Sequence, residues 1–234
     1  MQTSKAPYLF FALFAILYSL FTTPVFAETA TPSVGFDVSS IGYSRLSPNS
    51  PLYFLKAVRE IVELKLAATE KVKVLRYMEF AERRLREANS LIRFNHEDFM
   101  QPDMEKFLFE VKNLIGSTGD KDLQGLISQS LGHYMQVLVS LYDSSKDPES
   151  RLGIRSAVYR LTGLNLEYYQ SIKPKLTGQF FPPQEEKIAL GCSLLTKEAS
   201  SPVLNESEKE VLITRGKRCR EAINTILSLP QKAL

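Results

Sequence analysis

Residues 70–94, EKVKVLRYMEFAERRLREANSLIRF, decide the fold. Val74, Met78, Ala81, Leu85, Ala88 and Ile92 recur at alternating steps of four and three, which lines them along one side of an α-helix. The spacing predicts a packing seam. Ala81 and Ala88, one heptad apart on it, predict a point where a neighbouring helix approaches closely. Glu79, Glu82, Arg83, Arg84, Arg86 and Glu87 are expected to form a charged coat around the seam. Glu79 to Arg83 and Glu82 to Arg86 have the favourable i, i+4 orientation, each pair contributing about 0.3 kcal/mol.

Working outward, Asn49-Ser50-Pro51 reads as a helix start, with Ser50 as cap and Pro51 presetting the first helical φ. Leu52, Leu55, Val58, Val62 and Leu66 then form one apolar stripe, expected to be buried, while Lys56, Arg59, Glu60 and Glu63 are expected mostly to face water. Ala67 to Glu70 reads as a joint with Thr69 as the next cap. Asn95 to Pro102 reads as a turn. Beyond it, Asp103 to Ile115 presents Met104, Phe107, Leu108, Val111 and Ile115, and Gly116 to Gly119 ends that helix. Asp120 to Tyr142 aligns Leu123, Ile127, Leu131, Tyr134, Leu138 and Leu141. Asp147 and Pro148 open a further helix carrying Leu152, Ile154, Val158, Leu161, Leu166, Tyr169 and Ile172.

Lys173-Pro174 and Phe180-Phe181-Pro182-Pro183 interrupt the pattern. A helical hairpin follows, with Ile188, Cys192 and Leu195 on one arm and Leu212, Cys219, Ile223 and Ile226 on the other. Asn205 to Glu208 has the spacing of a capping box. No segment alternates as a strand. The fold class expected is therefore all-α, a bundle of about six amphipathic helices built from antiparallel hairpins. Residues 49–173 form the bundle, and residues 184–229 a C-terminal hairpin that is either separate or packed on the same bundle. Both cysteines point into that hairpin, as a disulfide in an oxidising compartment or as two buried thiols.

The N-terminus bears on compartment. Lys5 precedes an uncharged apolar run from Ala6 to Phe21, then Pro24 and Val25-Phe26-Ala27, followed by Glu28. This is the layout of a secretory signal over residues 1–27, with cleavage between Ala27 and Glu28. The competing reading is an uncleaved membrane anchor, since a bilayer span needs roughly 20 residues. Residues 28–48, rich in Ser, Thr, Pro and Gly, read as a flexible linker. The 29 basic and 26 acidic residues nearly cancel, so bulk nucleic-acid binding is not indicated.

Ser50-Pro51-Leu52-Tyr53-Phe54-Leu55-Lys56, followed by Ala81-Glu82-Arg83-Arg84-Leu85-Arg86-Glu87-Ala88, resembles an uncharacterised family of bacterial exported proteins known as a domain of unknown function. The resemblance covers residues 47–95 well and extends less clearly to about residue 172. It implies export, a helical fold and a bacterial source, and it supplies no catalytic residues.

Chemistry is hard to find in the remaining residues. His96 and His133 are the two histidines, and neither has a histidine four residues away, so no metal site is expected. No nucleophile elbow and no phosphate-cradling glycine run occurs, and no cofactor is implied. Met78, Met104 and Met135 read as core filler, and Tyr53, Tyr168 and Tyr169 as amphipathic rim residues. Two basic clusters stand out: Arg83, Arg84 and Arg86, and Arg215, Lys217, Arg218 and Arg220. Together they are the candidate anion-binding face, the competing reading being solvated helix surface. The function expected is that of a non-enzymatic protein-interaction or structural module of the bacterial cell envelope. The alternative is a module holding an anionic polymer or small molecule, and a third class is a hydrolase built from dispersed carboxylates.

Overall fold

The computed structural model describes residues 41–44, 48, 50–117, 120–172, 184–200 and 204–228. Seven α-helices and no strand occur among them: α1 (Tyr53–Lys65), α2 (Glu70–Arg93), α3 (Met100–Ile115), α4 (Lys121–Ser144), α5 (Pro148–Ile172), α6 (Glu185–Glu198) and α7 (Glu206–Ser228). The 3-10 turn Glu97–Phe99 joins α2 to α3. The expected signal, its Ala27–Glu28 cleavage point and the breaks at residues 173–183 lie outside the described residues.

Local chemistry sets the helix boundaries. The Thr69 hydroxyl accepts from Val72 N at 3.2 Å and opens α2. Asp120 accepts from Asp122 N and Leu123 N to open α4, and Asp147 accepts from Ser150 N at 2.7 Å to open α5 with Pro148 in its first position. At α7 the capping box closes reciprocally: Glu208 N donates to Asn205 Oδ1 at 2.9 Å while Asn205 N donates to Glu208 Oε2 at 3.0 Å. The helix α3 begins three residues before the sequence pattern predicts. Asn95 turns the chain with φ of 55°, and Pro102 is accommodated in the first turn, where no intrahelical N–H is needed.

The main core is built by α2, α3, α4 and α5. From α2 it takes Val74, Ala81, Leu85 and Ala88, with Met78 and Ile92 packed at its margin, so the predicted seam is buried. The α4 stripe is buried in full, and Phe107 meets Tyr134 edge-to-face with centroids 5.7 Å apart. On α5, Leu152 is exposed, not buried: Gly153, Ile154, Ala157, Val158 and Leu161 set the inward direction. Leu194 of α6 joins the same core, while Tyr169, Ile188, Cys192, Cys219 and Ile223 form a second cluster linking α5, α6 and α7. A Cβ at Gly191 would collide with Thr162 Oγ1 and lie 3.0 Å from Met135 Sδ, so glycine is what lets α6 settle on α4 and α5. The cysteines are joined as Cys192–Cys219, with Cα atoms 5.6 Å apart.

The first helix departs from expectation. It packs on α2, yet among the described residues no member of the apolar core comes from α1. Leu52, Leu55, Val58 and Leu66 are exposed and Val62 is only half-buried, whereas Glu60 and Glu63 are buried. The predicted inward stripe faces out and the predicted outward stripe faces in.

Candidate functional site: a buried ionic seam beneath an apolar face

The reversal of α1 follows from where charges sit on α2. Tyr53, Lys56, Glu60 and Glu63 fall at i, i+3, i+7 and i+10 and so share one side of α1. That side meets Arg83, Arg84 and Glu87 of α2. The Tyr53 hydroxyl donates to Glu87 Oε2 at 2.8 Å, and Arg84 donates from NH1 to the Tyr53 oxygen at 3.0 Å and to both Glu87 oxygens at 3.1 and 3.0 Å. Lys56 pairs with Glu87, and Arg84 pairs with Glu60. Arg83 bridges Glu63 at 3.2 Å and Glu79 at 2.6 Å, and Arg59 closes the chain on Glu63 at 2.6 Å.

Expectation and structure part company at these arginines. Arg83 and Arg84 were expected in a solvated coat and on an anion-binding face, but Arg84 is 5% exposed and Glu87 0%. Burial of charge is tolerated because carboxylates and guanidinium groups alternate: Glu60, Glu63 and Glu87 each meet two cations. Unpaired, any of these ions would cost several kcal/mol of desolvation. An external anion would have to displace these internal carboxylates.

On its third side the seam reaches α3. Lys106 Nζ lies 3.4 Å from the Tyr53 oxygen and 4.5 Å from its ring centroid. Asp103 is 1% exposed, and neither of its carboxylate oxygens has a hydrogen-bond partner among the described residues. Desolvation pushes its carboxyl up to about 7 against the pull of Arg84, Lys106 and Lys56. Burial likewise raises Glu110 to about 7 and the Tyr53 phenol to about 12.

Above this seam, α1 shows Leu52, Phe54, Leu55, Val58 and Ile61 to solvent, Phe54 at 61% exposure. Leu66, 75% exposed, follows at the joint, and Val72 and Leu75 are exposed at the start of α2. Soluble monomers rarely leave so large an apolar group uncovered.

The other singled-out residues are scattered. Arg86 pairs with Glu82 at 3.1 Å on a half-buried face of α2. Arg215, Lys217, Arg218 and Arg220 are exposed on α7, which packs chiefly on α6. Arg215 stacks over Tyr159 at 4.4 Å and Arg220 donates to Thr196 Oγ1 at 3.1 Å. The two basic clusters thus have different fates, one committed to carboxylates and one solvated. His96 is exposed, and His133 is half-buried, its imidazole held below its usual range by burial and by Lys187. No group of His, Cys, Asp or Glu suited to a metal ion occurs among the described residues.

A signal for the seam was present in the sequence. The ionic side of α1 and the Arg83, Arg84, Glu87 triplet are complementary in charge. Tyr53, Lys56, Arg84 and Glu87 also belong to the two stretches that carry the family resemblance. What they lacked in the sequence was a reason to meet.

No curated protein and no solved structure matches this chain. Residues 45–147, which contain every seam residue from Tyr53 to Glu110 and the helices α1 to α4, match the model of an uncharacterised family described as a domain of unknown function (DUF5667).

Proposed function

We propose that this chain is an exported, non-enzymatic interaction module of a bacterial cell envelope, engaging another protein through the outward face of α1. The carrying observation is the orientation of that helix: its ionic side is fastened inward by Glu60, Glu63, Arg83, Arg84 and Glu87, which leaves Phe54, Val58 and Ile61 in water. Holding apolar side chains outward costs solvation free energy, about 25 cal/mol per Å², that only a covering partner returns. Export rests on the leader, with Lys5, the apolar run and the Val25-Phe26-Ala27 ending.

Cross-linking in intact cells, followed by mass spectrometry of adducts and of the N-terminus, tests the reading. A reproducible protein adduct lost in Phe54→Asp and Ile61→Asp, on a chain beginning at Glu28, supports it. Adducts indifferent to those substitutions reject the α1 face, and a retained Met1 makes the chain membrane-anchored.

A second reading has its own observation. Arg215, Lys217, Arg218 and Arg220 are solvated and in no ion pair among the described residues, a pattern suited to an anionic polymer. Binding of purified envelope polymer at low salt, lost at high salt and in Arg215→Gln/Arg218→Gln, supports it.

A further inference from the structure

Resting on the reading that α1 is an interaction face, we infer that its partner is a second copy of this chain, the two α1 helices packing antiparallel about a twofold axis near Ala57 and Val58.

The shape and charge of the face argue for self-pairing. Its exposed positions Leu52, Phe54, Leu55, Ala57, Val58 and Ile61 carry no charge. Ala57 and Val58 are its two smallest side chains and lie midway between Phe54 and Ile61. An antiparallel pair crossing there brings the backbones close and sets Phe54 of each copy against Ile61 of the other, so the same patch serves both sides. The exposed cations Lys65, Lys71 and Lys73 all lie at or beyond the C-terminal end of α1. Since 13 residues of helix span about 20 Å, antiparallel pairing keeps the two lysine groups that far apart, whereas parallel pairing would juxtapose them. Antiparallel helix dipoles are also favourably opposed.

The area is of the right order. A specific interface buries roughly 800 Å² on each partner. Six large apolar side chains from Leu52 to Leu66, most of them more than half exposed, supply a large part of that.

A lipid surface fits less well. Helices that lie on membranes keep free Lys and Arg along their polar side. Here Lys56 and Arg59 are committed to Glu87 and Glu63, and the exposed lysines gather at one end. With 13 residues and an ionic side, α1 is also too short to cross a bilayer.

The experiment uses the purified chain lacking residues 1–27, by sedimentation equilibrium and by oxidative cross-linking. Both native cysteines are bonded to one another, so an introduced thiol is the reactive one. The wild type is expected to be a dimer, and Val58→Asp, which places two like charges at the axis, to weaken dimerisation about a hundredfold or more with unchanged far-UV circular dichroism. Ala57→Cys is expected to form a covalent dimer readily, and Leu52→Cys at least about tenfold more slowly, since those positions lie toward opposite ends of the pair. A wild type that stays monomeric at the highest attainable concentration overturns the inference, as does Leu52→Cys cross-linking as fast as Ala57→Cys. So does monomeric binding to anionic phosphatidylglycerol vesicles that is lost in Val58→Asp. If the purified chain is monomeric while cellular protein adducts still vanish in Phe54→Asp, self-pairing fails and the interaction reading stands. If neither changes, both fail.

Discussion

The Tyr53 hydroxyl donates a 2.8 Å hydrogen bond to Glu87 Oε2, tying the first residue of α1 to a carboxylate sealed inside α2. Glu87 also takes Lys56 and Arg84, so three groups converge on one side chain. Because α1 has no member in the apolar core among the described residues, this convergence is much of what holds it. Glu87→Gln leaves the buried Arg84 and the half-buried Lys56 without that carboxylate, a change of the kind that costs about 3–5 kcal/mol. The expected result is release of α1 alone: amide exchange in residues 53–65 accelerates while amides of α3, α4 and α5 keep their protection. Tyr53→Phe, losing the bond donated to Glu87 and those accepted from Arg84 and Lys106, should cost at least about 1.5–3 kcal/mol in the same measurement. Unchanged exchange in α1, or equal loss everywhere, would show that the seam is not what docks this helix.

Leu85 and Leu152 sit in equally regular apolar patterns but in different surroundings. Leu85 is buried against the main core, and Leu152 is exposed on α5. Leu85→Asp places an unpaired carboxylate in that core and should destabilise the fold by several kcal/mol, as urea titration reads it. Leu152→Asp should stay within about 0.5 kcal/mol of wild type. Similar losses in both variants would mean that α5 is rotated from the orientation described.

Periodicity and capping chemistry made α2, α4 and α7 legible from residues alone, because Val74 through Ile92, Leu123 through Leu141 and the Asn205–Glu208 box each encode a helix locally. The same logic misplaced α1. A period of 3.6 says that a helix has two different sides and nothing about which one is inward. The usual assignment of the apolar side to the core fails when the facing surface carries Arg83, Arg84 and Glu87. Leu152 failed for a related reason: Gly153 and Ala157 pack α5 through small residues that a hydrophobic stripe undervalues. The seam is a tertiary pairing between residues about 20 to 34 positions apart, and no local rule reports it.

The Cys192–Cys219 bridge staples α6 to α7 across a sequence separation of 27. In the loop-entropy account, closing such a loop stabilises by about 3 kcal/mol. Tyr169, Ile188 and Ile223 pack around it, so the reduced hairpin retains part of its apolar cluster. Cys192→Ser/Cys219→Ser should therefore lower stability by about 2–4 kcal/mol and expose α7 to proteolysis before the bundle. Limited proteolysis with and without reductant checks this, and a double variant as resistant as wild type would remove the bridge from the stabilising interactions.

Asp103 makes the seam sensitive to pH with a definite sign. In the unfolded chain its carboxyl ionises near 3.9, while burial in the fold raises it to about 7. Between those values the folded chain holds the extra proton. Its contribution to stability is therefore greatest below the unfolded value, falls as pH rises, and is lost once the folded value is passed. Arg84, Lys106 and Lys56 oppose the shift and Glu60 reinforces it, so the net effect is that of burial outweighing three cations. Asp103→Asn keeps the shape and removes the titration. Compared by chemical denaturation at pH 5 and pH 8, the variant should gain on wild type by about 2–4 kcal/mol at the higher pH. Glu110, raised in the same direction, and the Lys56 amine, which burial lowers to about 7, titrate in the same window and are present in both proteins. Lys56→Met, made in both backgrounds, separates the lysine's opposing slope from that of Asp103. An identical difference at the two pH values would mean that Asp103 is already ionised in the fold, with the cations of the seam neutralising it, and that α1 is held by a fully charged lattice.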